Sequence, residues 1–224
     1  MPIPEIQQRL RRAFPETTDP ATVAAVLNGV RLADDLIGRE PLLGTLIGRD
    51  YRGLLRRAGV LFSFQEACQA GHLPFTASFR PMHRGHWHLL EIASGDEKAQ
   101  ICRTDDADSF PVDGPVRQDE RLVNQFDLFE PLPPMPELLL RIPHLYVWLT
   151  FGADREGNLT HVCWTAPARE GREWLGFASI LRNAMQVLER PAAEAAPDPR
   201  KKLRFREHIE TALEDKNDTK SSGR

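Results

Sequence analysis

The strongest constraint on this chain is a change of hydrophobic period at Val60. Up to that point apolar residues recur at helical spacing. Beyond it, short runs of β-branched and aromatic residues alternate with turn signals. Helices followed by hairpins are the pattern of an α+β fold rather than an alternating α/β one.

In the first third, Ile6, Leu10 and Phe14 fall at i, i+4 and i+8, one face of a short helix. Asp19-Pro20 reads as an N-cap followed by proline in the first turn. The helix it opens carries Val23, Val26, Leu27, Val30 and Leu36, with Gly38 as its C′ residue. A third helix is expected from Leu42 to Ala58. Leu43, Leu46, Ile47, Leu54 and Leu55 would face inward and Gly59 would end it. Gly44, Gly48 and Gly53 interrupt that helix, each costing up to ~1 kcal/mol against alanine unless close packing offsets it.

Six strand-like runs follow: Val60–Phe64, Pro74–Arg80, Trp87–Ile92, Lys98–Thr104, Leu145–Phe151 and Leu159–Thr165. Ala93–Glu97 and Ala153–Asn158 have the Gly-containing composition of hairpin turns. Leu145–Phe151 is apolar on both faces and is expected at the centre of a mostly antiparallel sheet. Asp105–Pro115 reads as a surface loop, Arg117–Phe129 as a short helix, and Glu130–Pro136 as an extended connector. Residues 172–189 return to helical spacing through Trp174, Phe177, Ile180, Leu181 and Val187. The expectation is one domain over residues 1–190. Within it, residues 1–59 would be helical, and residues 60–190 would form a sheet of five to six strands closed by a C-terminal helix. Residues 191–224 form a linker and a charged, partly disordered tail.

Composition excludes some classes. Apolar residues make up 41% of the chain and the net charge is −3, so no global field draws it to polyanions. Residues 61–135 hold six cations against twelve anions, so any basic surface must be local. Three distant cysteines, Cys68, Cys102 and Cys163, do not make a disulfide framework. The N-terminus has no secretory signal pattern and no apolar run spans a bilayer. A cytoplasmic protein without membrane contact is the expectation.

Four local patterns could carry function. His86 and His88 share a strand face, as do His161 and Cys163 on another run. Were the two strands neighbours in register, the four would offer three nitrogens and one sulfur to zinc. Packing is the ordinary role of such pairs, so the expected cofactor is none, with zinc as the alternative. Arg49, Arg52 and Arg56 recur at i, i+3 and i+7 with Arg57 beside them, a stripe suited to phosphates or to a solvated helix face. In the tail, Arg200, Lys201, Lys202, Arg204 and Arg206 interleave with Leu203 and Phe205, a composition that suits nucleic acid or an acidic protein. Ile209, Ala212 and Leu213 behind them would let the tail fold on a partner.

Two stretches resemble known families. Gln125-Phe-Asp-Leu-Phe129 resembles the Gln-x-x-Leu-Phe peptide by which bacterial replication and repair proteins dock into the sliding clamp. The resemblance implies Gln125 as polar anchor and Leu128 and Phe129 as pocket-fillers, although Phe126 stands where leucine is commoner. By their own chemistry Phe126 and Phe129 read as core residues. Leu89-Leu-Glu91-Ile-Ala93 resembles the Glu-x-Lys strand of restriction-endonuclease-like folds. Ala93 occupies the lysine position, which implies at most a degenerate, inactive member. Nucleophile elbows, phosphate-binding loops and calcium loops are absent. The reading is therefore a non-catalytic binding or accessory protein near nucleic acid or in a protein complex. A zinc hydrolase and a purely structural assembly protein are the alternatives.

Overall fold

A computed structural model describes residues 3–82, 88–112, 114–124, 144–169, 173–182 and 184, all within the compact unit Met1–Glu189. In chain order these form α1 (Pro4–Ala13), α2 (Asp19–Arg39), α3 (Leu46–Gln69), β1 (Thr76–Pro81), β2 (His88–Ser94), β3 (Glu97–Arg103), α4 (Pro115–Arg121), β4 (Tyr146–Ala153), β5 (Leu159–Pro167) and β6 (Trp174–Ser179). The strands make one sheet in the order β1-β2-β3-β4-β5-β6. Every pairing is antiparallel except β3 with β4. The α+β class and the mostly antiparallel sheet stand as expected. Among the described residues, no helix is long and apolar enough to cross a membrane.

Strand alternation sorts the core into two layers. Leu90, Ile92, Ala99, Ile101, Val147, Leu149, Phe151, Val162 and Trp164 meet Ile6, Leu10, Phe14, Val26, Val30, Val60 and Phe64 in the main core. Phe14 stacks on Trp164 with ring centroids 4.1 Å apart. On the opposite face Cys102, Tyr146 and Trp148 form a smaller cluster with Phe110, Val123 and Trp174. β4 is buried along nearly its whole length, as a central strand apolar on both faces should be. Both expected hairpins form, with Gly95 at φ +60° and Gly157 at φ +89° in the turns.

Three expectations are corrected. Val60–Phe64 is not a strand: α3 runs through it to Gln69, so the helical region extends ten residues further than residue 59. Val60 and Phe64, four apart, are both buried on α3's inner face. A short run of β-formers does not by itself distinguish a strand from a buried helical turn. Gly59 is a contact, not a terminator: a Cβ there would lie 2.3 Å from the Gly29 carbonyl oxygen. The two glycines let α2 and α3 touch backbone to backbone.

Second, α3 is turned relative to the expected face. It starts at Leu46, where the Thr45 hydroxyl accepts from the Gly48 N–H at 3.2 Å. Its buried residues are Gly48, Arg56, Gly59, Val60 and Phe64, whereas Leu46, Ile47 and Leu54 are exposed. The glycine contact and the burial of Arg56 select this face over the leucine-rich one. Likewise α2 buries Ile37 and exposes Leu36; it continues past Gly38 to Arg39. Asp19 is its first residue, paired with Arg11 at 3.0 Å, rather than its cap.

Third, Trp174–Ser179 is strand β6, not the start of a closing helix; beyond it only Leu181, Arg182 and Ala184 are helical among the described residues. Its buried residues, Gly176 and Ala178, are small. A Cβ on Gly176 would sit 3.2 Å from Ile6 Cγ2 and 3.4 Å from Leu10 Cδ2. α1 covers this edge strand, with Ile3 N–H donating to the Leu175 carbonyl at 2.8 Å and Phe177 N–H to Gln7 Oε1 at 2.8 Å.

Candidate anion-binding pocket

The arginine stripe of α3 lies where the helix meets the far ends of β3, β4 and β5. A cavity of about 470 Å³ opens there, lined by Arg49, Arg52, Arg56, Arg103, Arg155, Asp50 and Asp154, with Gly53, Leu54 and Ala153. Five arginines thus face two aspartates. Each side chain comes from a rigid element or its cap. Arg103 ends β3, and Arg155 sits in the β4–β5 turn.

The arginines divide by role. Arg56 is 5% exposed and fully engaged. Its Nε and Nη2 donate to the two Asp34 oxygens at 2.9 and 2.8 Å, and Nη1 donates to the Asp154 carbonyl at 2.6 Å. This bidentate pair ties α2, α3 and the β4–β5 turn together. Gly157 makes the approach feasible, because a Cβ there would lie 2.5 Å from Asp34 Oδ2. Arg56 is therefore a strut, not a free contact for an anion. Arg57 does not line the cavity; burial, reinforced by the nearby Arg117 charge, lowers its pKa.

Arg49, Arg103 and Arg155 are exposed, and Arg52 is half-buried. Arg52 Nη1 reaches the Arg155 carbonyl at 3.4 Å, and its buried Nε has no hydrogen-bond partner among the described residues. Gly53 leaves room for Arg103, whose Nη1 would be 2.2 Å from a Cβ at that position. Asp154 stays ionised and offsets part of the positive field. Hydrogen bonds from Asn158, at 2.8 Å from its N–H and 3.0 Å from its side-chain amide, occupy the carboxylate and hold its pKa below the usual range. Planar guanidiniums around an open cavity suit oxyanions, which accept bidentate hydrogen bonds.

Among the described residues the metal pattern does not assemble. His86 lies outside the described residues. His88 is exposed at the start of β2, whereas His161 and Cys163 are buried on β5. β3 and β4 separate the two strands, a distance of about 14 Å at the usual strand spacing. His161 shares its Nε2 with Thr104 Oγ1 at 2.7 Å and its Nδ1 with Thr160 Oγ1 at 3.1 Å. Burial lowers its pKa, against the raising effect of Asp106, Asp105 and Asp108. Burial pushes the Cys163 thiol up to about 11. Among the described residues, no three His, Cys, Asp or Glu side chains converge. Glu91 is held by Arg80 at 3.2 Å and Lys98 at 3.5 Å, so it is an ion-pair residue on the sheet.

Gln125, Leu128 and Phe129 lie outside the described residues, as do Arg200, Lys201, Lys202, Arg204 and Arg206. Arg103 and Arg155 line the pocket, and Asp34 holds Arg56 beside it; none of the three has a distinguishing pattern in the sequence. Single arginines at a strand end and in a turn carry no periodic signal. Comparison with protein-family models, curated proteins and solved structures finds no match to this chain.

Proposed function

We propose that the chain is a non-catalytic binding protein whose arginine-lined pocket takes phosphate groups of a single nucleic-acid strand. The observation that carries this reading is the convergence of Arg49, Arg52, Arg103 and Arg155 on one cavity at the helix–sheet junction. Phosphate oxygens would accept charge-assisted, bidentate hydrogen bonds from the guanidiniums that line this concave space. An open cavity admits a strand that enters and leaves, and the rigid elements around it provide position rather than base readout.

The test is fluorescence anisotropy of a labelled single-stranded oligonucleotide across a salt series. Four phosphate contacts at about 0.7 counterions each give a log–log slope near −3, or roughly 50-fold weaker binding between about 50 and 200 mM salt. Arg52→Glu with Arg155→Glu should abolish binding while the protein stays folded. Binding unaffected by that double variant, or none at low salt, refutes the reading.

A further inference from the structure

The rotation of α3 that buries Arg56 also leaves an apolar face exposed among the described residues. On α2, Leu32 (47% exposed) and Leu36 (44%) lie one turn apart. On α3, Ile47 (67%), Tyr51 (53%), Leu54 (42%) and Phe62 (52%) recur at i, i+4, i+7 and i+15, one stripe of the helix. Between the helices runs a cleft of about 730 Å³ whose lining includes Ala21, Ala25, Phe62, Ser63 and Ala67. Small residues floor it and Phe62 stands at its margin.

We propose that this α2–α3 face is the docking surface for a second copy of the same chain, forming a two-fold dimer. Three observations favour that occupant. The patch is self-complementary in shape: a protruding phenylalanine lies beside a hole floored by alanine, so a two-fold axis places each Phe62 in its partner's cleft. It is self-complementary in charge, because the exposed charges beside it mix Arg31, Arg39 and Asp35 on α2 with Glu66 on α3. A single-sign rim would repel its own copy and call for a different protein.

Third, the area is sufficient. Tyr51 and Phe62, half exposed, each present about 100 Å². The four aliphatic side chains present about 50 Å² each. The resulting sum of about 400 Å² of apolar surface approaches the roughly 60% apolar share of a standard interface, about 480 Å² per copy. Stable interfaces bury about 800 Å² per partner. The dimer goes beyond the phosphate reading and does not depend on it.

The test is light scattering coupled to size exclusion on the full chain, without nucleic acid, at about 50 µM, well above a micromolar dissociation constant. The expected mass is twice that of the chain. Phe62→Glu, which puts a charge at the patch centre, and Ser63→Trp, which fills the cleft, should each halve it with unchanged circular dichroism. Leu122→Glu, exposed on the 3-10 turn after α4, should leave the dimer intact. A wild-type monomer at that concentration overturns the proposal and assigns the face to another partner. A dimer that survives both Phe62→Glu and Ser63→Trp overturns it as well.

Discussion

Replacing Asp34 with alanine tests the strut that builds the pocket. Asp34 accepts two charged hydrogen bonds from Arg56, at 2.9 and 2.8 Å. The Arg56 side chain is 6% exposed and that of Asp34 29%. Breaking a fully buried pair costs about 3–5 kcal/mol, because the surviving charge is left without its counterion. Two features reduce that here. Arg56 keeps carbonyl acceptors at Asp154 and Arg155, and water reaches the Asp34 side of the pair. A loss of about 2–3 kcal/mol is the expected outcome. For a chain of this size it lowers Tm by roughly 5–10 °C. Urea unfolding followed by the fluorescence of the buried Trp148 and Trp164 reads it directly. Asp35→Ala is the control. Its partner Arg39 is 4.0 Å away and both side chains are at least 70% exposed, so the change should stay within about 0.5 kcal/mol. Adding Arg56→Met to Asp34→Ala should cost less than the two single losses combined, because it removes the orphaned charge. A loss below about 1 kcal/mol for Asp34→Ala, or strict additivity in the double variant, would show that the pair is not a strut.

Gly59→Ala should destabilise by about 1–3 kcal/mol despite alanine's better helix propensity, since its Cβ would meet the Gly29 carbonyl at 2.3 Å. Gly38→Ala, also inside a helix but with nothing within 4 Å of the new Cβ, should instead stabilise by up to about 1 kcal/mol; thermal melts of the two variants should move in opposite directions. His161 is buried with its pKa below the ordinary histidine value. Its unfolded form therefore takes up a proton first as pH falls. The contribution of neutral His161 is fully present above about pH 6.5 and is lost as pH falls from there towards its folded pKa. His161→Phe should flatten the urea-midpoint profile between about pH 7.5 and 5.5; an unchanged slope refutes the assignment.

What the sequence made legible follows from which signals are local. The class and both hairpins rest on a change of period and on turn residues, and the central place of β4 on a run apolar on both faces; these stand as read. Apart from Val60–Phe64, where β-formers fill a buried helical turn, the failures come from inward faces made of small or charged residues. Gly176 and Ala178 face the core from β6, while the large Trp174 lies with the cluster on the opposite side of the sheet. Large apolar residues at fixed spacing therefore suggest a helical period that the backbone does not follow. α3 repeats the lesson: Gly48, Arg56 and Gly59 are buried while Ile47, Tyr51 and Leu54 are exposed. Glycine marks a close backbone contact only once its neighbour, Gly29, is known.

The candidate site was half legible for the same reason. Arg49, Arg52 and Arg56 carry a helical period, so the stripe is visible, but the period says nothing of which arginine is neutralised. Only the approach of Asp34 on α2 and the carbonyls of the β4–β5 turn separates the strut from the arginines left lining the cavity. α3 thus joins two surfaces through one choice of face. Burying Arg56 fixes the floor of the arginine pocket, and the same rotation turns the leucine stripe outward. A substitution that releases Arg56 should disturb the arginine-lined cavity and the exposed apolar α2–α3 face together, whereas Phe62→Glu should disturb the apolar face alone.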